Sequence, residues 1–220
     1  MCFSPEASFI ASAFLSAVSV ATYRSVKSSG GQQQSKLALV MVPVGFAIQQ
    51  FSEGLVWLSL LYNFGTVLRS LSVYVFIFFA FIFWPAYIPL CIYQLEPSAT
   101  RRKWLKLLAI VGWVVAAILL VRVLYFGITA QIASCHILYS SDLSQLNFTF
   151  LVTIMGAYLL ATVVPLLIAT FPGVRTIGVL IGLAYLATYL FYLKFLISVW
   201  CFFAAAISLL LYHVVLQKVD

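Results

Sequence analysis

Polar and charged residues fall along this chain in short clusters, separated by apolar stretches of about twenty residues, the length a helix needs to cross the hydrocarbon core of a bilayer. Seven such stretches are legible, over 5–23, 37–62, 71–94, 104–126, 148–171, 176–192 and 197–216. Turn-forming or charged residues mark their ends, as in Ser28-Ser29-Gly30-Gly31, Asn63-Phe64-Gly65, Glu96-Pro97-Ser98 and Pro172-Gly173. The last boundary is the faintest. Only Lys194 and Ser198 interrupt an apolar run from Thr176 to Leu216, and a tight turn is expected between them. The pattern predicts an all-α, polytopic membrane protein: one transmembrane domain over 1–220, built as a bundle of seven helices.

Local signals refine this picture. Ser4-Pro5-Glu6 reads as an N-cap, a first-turn proline and an acid over the positive end of the first helix. Ser8, Ser12, Ser16 and Ser19 fall at helical spacing on that helix and predict a close-packing seam. No basic segment precedes the first apolar run, whereas Arg24 and Lys27 follow it, the pattern of a reverse anchor rather than a cleaved leader.

Composition excludes a soluble globule, because 65% hydrophobic and 8% charged residues leave too little polar surface to coat one. Charge then sets orientation. Of the 12 Lys and Arg residues, nine (Arg24, Lys27, Lys36, Arg101, Arg102, Lys103, Lys106, Arg175 and Lys218) fall in segments on one side of the seven-span pattern. Arg69 and Lys194 fall on the other side, and Arg122 lies within the fourth stretch near its end. The positive-inside rule gives an N-out, C-in orientation. Anionic lipid accounts for the basic balance, so the bilayer is the expected partner and nucleic acid is not. The long connection from Gly127 to Asn147 is then external. It carries Cys135, His136, Tyr139 and Asp142 with no Lys or Arg, and is expected to form a lid or pocket wall.

Candidate chemistry concentrates in the second stretch. Gln49, Gln50, Glu53 and Trp57 share one helical face. Polar groups inside a span are expensive and mark functional sites by default. Glu53 lies roughly 24 Å along the axis from Leu37, and Arg122 roughly 27 Å from Trp104, so the two are expected at similar depth and as partners. With His136 and Trp200 they make up the expected ligand-binding set. Cys2, Cys135 and Cys201 map to the outer face, where one disulfide among them is expected in an oxidising compartment. Cys2, Glu53 and His136 are the donors from which a mixed metal site could be assembled, although no spacing motif supports one. His136 and His213 fall at opposite ends, which disfavours a bis-histidine haem or a multi-histidine zinc centre. Lys194 reads as an interfacial residue rather than a cofactor attachment point. Phosphate-loop, Ser-His-Asp and His-Glu-x-x-His patterns are not present, and the residues specify no cofactor.

The opening Met1-Cys2-Phe3-Ser4, the following Ala7-Ser8-Phe9 and the later Gln50-x-x-Glu53-Gly54-x-x-Trp57 resemble an uncharacterised family of small bacterial integral-membrane proteins that begin Met-Cys-Phe-Ser. The similarity extends along nearly the whole chain, through His136 and Trp200-Cys201. It implies a seven-helix inner-membrane protein and carries no assigned activity. It also adds weight to Cys2, Ser4, Glu53, Trp57, His136, Trp200 and Cys201 as one outer cluster. The expected function is the binding or transport of a small polar or ionic ligand in an outward-facing polar pocket. An intramembrane metal-dependent enzyme and an accessory or structural subunit of a membrane complex are the alternatives, and an oligomer or partner subunit fits either.

Overall fold

The computed structural model describes residues 4–28, 36–141 and 148–216. Helix α1 spans Pro5–Ser28, α2 Leu37–Tyr62, α3 Thr66–Ile77, α4 Trp84–Leu95 and α5 Ala99–Phe126. A hairpin of β1 (Thr129–Ala133) and β2 (His136–Ser140) follows, then α6 (Phe148–Thr162), α7 (Val164–Ile168), α8 (Pro172–Tyr192), α9 (Leu196–Ser208) and α10 (Leu211–Leu216). A π-helical segment, Phe78–Phe83, joins α3 to α4 in one continuous 30-residue span, and a 3-10 turn, Leu193–Phe195, joins α8 to α9.

Among the described residues, six helical stretches are long and apolar enough to cross a membrane, against the seven expected from sequence. The difference lies in Gly173–Leu216, whose 44 residues form one apolar stretch interrupted by the 3-10 turn. A straight helix of that length would measure about 66 Å, twice the hydrocarbon thickness. Instead the chain reverses at the turn. Trp200 of α9 donates its indole N–H to the Ile181 carbonyl of α8 at 3.3 Å. Large apolar side chains such as Phe14, Leu124, Tyr125 and Phe191 cover the outside of the bundle, as a lipid-facing surface requires.

Three expected boundaries shift for local reasons. The third stretch begins at Thr66 rather than 71, because Asn63 closes α2 in the left-handed conformation (φ 55°) and Arg69 of α3 reaches back to the Ser59 carbonyl and Asn63 Oδ1, both at 2.9 Å. The fourth begins at Ala99, where Ser98 caps the helix by accepting from the Arg101 amide. The fifth breaks at Val163, two residues before Pro165, which has no N–H to continue the ladder and gives the short α7.

The all-α class holds, with a short non-helical element between α5 and α6. There β1 and β2 pair antiparallel, from Thr129↔Ser140 to Ala133↔His136. Both turn residues, Ser134 (φ 46°) and Cys135 (φ 63°), are left-handed, the geometry that matches the twist of a two-residue hairpin. β1 faces outward, while Ile137 and Tyr139 of β2 are buried and Tyr139 stacks on Phe76 with ring centroids 4.6 Å apart. The hairpin is a packed roof rather than a free loop.

The serine seam of α1 is confirmed at three of four positions. Ser8, Ser12 and Ser19 are buried and Ser12 bonds across to the Ala47 carbonyl at 2.8 Å, whereas Ser16 is exposed.

Seen end to end, the bundle is electrically lopsided. Among the described residues, Arg24, Lys27, Lys36, Arg101, Arg102, Lys103, Lys106 and Arg175 lie at or near the helix termini of one end. The hairpin, the 3-10 turn and the start of α1 lie at the other, with Arg69, Arg122 and Lys194.

Candidate functional site: a polar knot behind a roofed cavity

α2 is the central helix, so its polar face has nowhere to go but inward. Gln49, Gln50, Glu53 and Trp57 are all buried, Glu53 at 2% exposure. Ser198 of α9 donates to Glu53 Oε1 at 2.5 Å, and Gln50 Nε2 donates to Oε2 at 3.4 Å. Gln49 Oε1 accepts from the Trp84 indole of α4 at 2.8 Å. Cys201, one helical turn beyond Ser198, adjoins both Glu53 and Gln49. Gln49 Nε2, Gln50 Oε1 and Trp57 Nε1 are buried and make no hydrogen bond. The knot thus fixes α2, α4 and α9 to one another while leaving part of its hydrogen-bonding capacity unused.

The expected Glu53–Arg122 pair does not form. Among the described residues Glu53 has only the neutral donors Ser198 and Gln50, and the Arg122 guanidinium lies 5.0 Å from the Phe126 ring centroid on its own helix. Similar depth along two helices leaves open which sides they turn to each other, and α5 turns Arg122 elsewhere.

Arg122 instead borders a half-open cavity of about 400 Å³ beneath the hairpin, lined by α5, α6, α8, α9 and the π-segment. Its walls are apolar, with Leu119, Leu151, Ile154 and Ile197 among them. Its polar lining comprises the Tyr139, Tyr158 and Tyr185 phenols, Ser140, Ser141, Arg122, Lys194 at the mouth, and the Trp200 indole, which meets Tyr158 and Tyr185 edge-on. Tyr139 and Cys201 form the wall shared with the knot. Cys201, Tyr158 and Trp200 also line a narrow apolar cleft of about 50 Å³ leading toward the basic end. Burial, with the neighbouring Glu53 and Cys201, pushes the Tyr139 phenol well above its ordinary pKa.

The orientation of Tyr158 follows from one proline. In the π-segment the Trp84 amide donates to the Phe79 carbonyl, five residues back. The next nitrogen in that ladder belongs to Pro85 and carries no hydrogen, so the Ala80 carbonyl needs another donor. Tyr158 supplies it, its hydroxyl lying 2.5 Å from Ala80 O.

His136 is not in the cavity lining. It sits at the start of β2, with Nδ1 2.7 Å from the Ser134 carbonyl and its ring stacked on Phe195 at 4.7 Å, where it fastens the roof to the 3-10 turn. Cys201 is a free, buried thiol, and Cys135 is exposed at the hairpin tip. Cys2 lies outside the described residues, and with it the expected bridge and the Cys2–Glu53–His136 metal set. No group of three metal-ligating side chains occurs among the described residues.

Sequence reasoning missed Ser198, Trp84, Tyr158 and Tyr185 as site residues, and named Tyr139 only within the connection expected to form a lid or pocket wall. A signal existed for Tyr139, since β-branched and aromatic residues flank Ser134-Cys135 at hairpin spacing. Ser198, a hydroxyl beside Lys194 in an otherwise apolar run, was another.

A helical, multi-pass membrane protein built around a roofed internal cavity is the class that fold and site define. The chain belongs to the family of unknown function DUF6629, whose model matches residues 1–220. No curated protein and no solved structure matches it.

Proposed function

We propose that this protein binds a small ligand in the cavity beneath the hairpin, for transport or presentation at the outer face of a bacterial inner membrane. In this reading α8 and α9–α10 each cross the bilayer, giving seven spans with the N terminus outside. The clustering of basic residues at the end opposite the hairpin supports that orientation. The observation that carries the reading is the cavity itself. About 400 Å³ of concave, half-open space with a few convergent polar groups in apolar walls is the signature of a ligand site, and a structural subunit gains nothing from leaving it unfilled. The adjoining narrow cleft favours transport, since it continues the same line of side chains inward. The site differs from the polar pocket expected from sequence: Arg122 and Trp200 line it, whereas Gln49, Gln50, Glu53 and Trp57 stand behind its wall.

The test is a thermal-stability screen of the protein in lipid nanodiscs against neutral, anionic and cationic compounds of graded size. A ligand at a hundred times its Kd stabilises the folded state by about 2.7 kcal/mol. A hit that stabilises the wild type but not Ile154→Trp, in which the cavity is filled, supports the reading. Hits equally effective in both proteins, or none at all, defeat it.

A further inference from the structure

Two residues that line the cavity each carry a buried polar atom with no hydrogen-bond partner. Arg122 Nη2 is fully enclosed and makes no hydrogen bond, and neither does the hydroxyl of the buried Tyr139. Both residues line the same space. A guanidinium is five donors with no acceptor, and leaving one of them buried and unpaired is costly unless an anion completes it. The Phe126 ring faces Arg122 with its negative π-surface and offsets part of that cost, but it satisfies no N–H. Lys194 adds a second positive charge at the mouth, and no carboxylate occurs among the described residues lining the cavity. Beyond this polar corner the walls are mostly apolar along α6 and α9, as far as Tyr158, Trp200 and Cys201, which also line the narrow cleft.

We infer that the ligand is a single-chain amphipathic anion, its carboxylate or phosphate head held by Arg122 and the Tyr139 hydroxyl and its apolar tail lying along α6 and α9 toward Trp200. This rests on the cavity being a ligand site and assigns the chemical class that it selects. Arg122 supplies a planar fork suited to either head, Tyr139 a neutral donor, and Lys194 draws the anion to the mouth. The tail accounts for walls that a purely polar ion would not use.

The experiment measures binding to the full-length protein in phosphatidylcholine nanodiscs, using decanoate, decyl phosphate, decanol, decylamine and acetate. Decanoate and decyl phosphate bind at least about tenfold more tightly than decanol or decylamine, and acetate fails for want of a tail. Arg122→Gln weakens the two anions by about 10–100-fold and leaves decanol unchanged, as expected for loss of a charge-assisted hydrogen bond. Lys194 is exposed, so Lys194→Gln folds in any case and slows or weakens anion binding without touching decanol. A second arm with phosphatidylglycerol in the disc separates the source. Competition between that lipid and decanoate means that the anion arrives from the bilayer, and independence means that it arrives free. Decanol binding as tightly as decanoate, with no response to either substitution, overturns the anion assignment while the cavity stands as a ligand site. Preference for decylamine overturns it in the same way. Failure of every amphiphile to bind defeats assignment and cavity together.

Discussion

The two ends of the bundle treat their polar groups in opposite ways. At the basic end Glu96, 3% exposed, is saturated: Oε2 accepts from the Thr170 amide at 2.8 Å, and Oε1 accepts from the Ser98 amide at 3.1 Å and from the Thr170 hydroxyl. Arg101 and Arg175 close the same cluster on Thr170, and Lys36 Nζ donates to the Val215 carbonyl of α10 at 3.0 Å. At the roofed end Arg122, Tyr139 and Arg69 each keep a buried polar atom without a hydrogen bond. Polar groups that complete each other hold helices together. In the proposed reading, the incomplete groups of Arg122 and Tyr139 beside the cavity are what a ligand would complete. The Glu53 knot stands between these extremes, partly satisfied and adjoining the cavity wall.

That contrast can be broken by substitution, and the largest effect is expected at Glu96. Glu96→Ala strands the Ser98 and Thr170 amides and takes the acceptor from the Thr170 hydroxyl, costing about 3 kcal/mol of stability with no change in ligand response. Chemical denaturation beside the binding assay checks both halves, and a ligand defect would erase the distinction between the ends. Ser198→Ala removes the short bond to Glu53 and costs about 1–2 kcal/mol, read by the same denaturation. Glu53→Gln, nearly isosteric and still able to accept from Ser198, costs about 1 kcal/mol or less, and a full collapse of the protein would mean that the knot needs the charge.

Alkaline pH sharpens the comparison further. Because burial raises the Tyr139 phenol in the folded state, the unfolded chain loses that proton first, near pH 10. The stabilisation is complete below that pH and is lost as pH rises above it, by up to about 1.4 kcal/mol per pH unit. Melting curves of Tyr139→Phe should therefore fall less steeply than wild type above pH 10. At neutral pH, without ligand, Tyr139→Phe should lie within about 0.5 kcal/mol of wild type or slightly above it, since the hydroxyl it removes has no partner. A clear loss would show that the hydroxyl already does structural work.

Much of this was legible in the chain. Twenty-residue apolar runs gave the helices, Lys194 marked the reversal between α8 and α9, and helical spacing placed Gln49, Gln50, Glu53 and Trp57 on one buried face. What stayed hidden depended on relations between elements. The hairpin turn uses Ser134-Cys135 where Asn-Gly would have announced it. Arg122 was assigned to Glu53 on depth alone, and depth carries no information about azimuth. Tyr158 could not be recognised as a wall residue, because its position is set by a carbonyl that Pro85, on another helix, leaves without a donor.

The π-segment between α3 and α4 has a consequence for how such a chain can change in length. A wide turn accommodates one residue more than an α-helix of the same rise, so Phe78–Phe83 can be viewed as an α-turn carrying an insertion. Deleting a single residue there would let the ladder close to α geometry while leaving the helix beyond it in phase, because the wide turn is what absorbs the extra residue. Trp84 would keep its place against Gln49, and the Ala80 carbonyl, still opposite the proline nitrogen, would keep its need for Tyr158. A homologue that lacks this residue can therefore retain both the Trp84–Gln49 pair and the cavity wall, with the change in length confined to the wide turn.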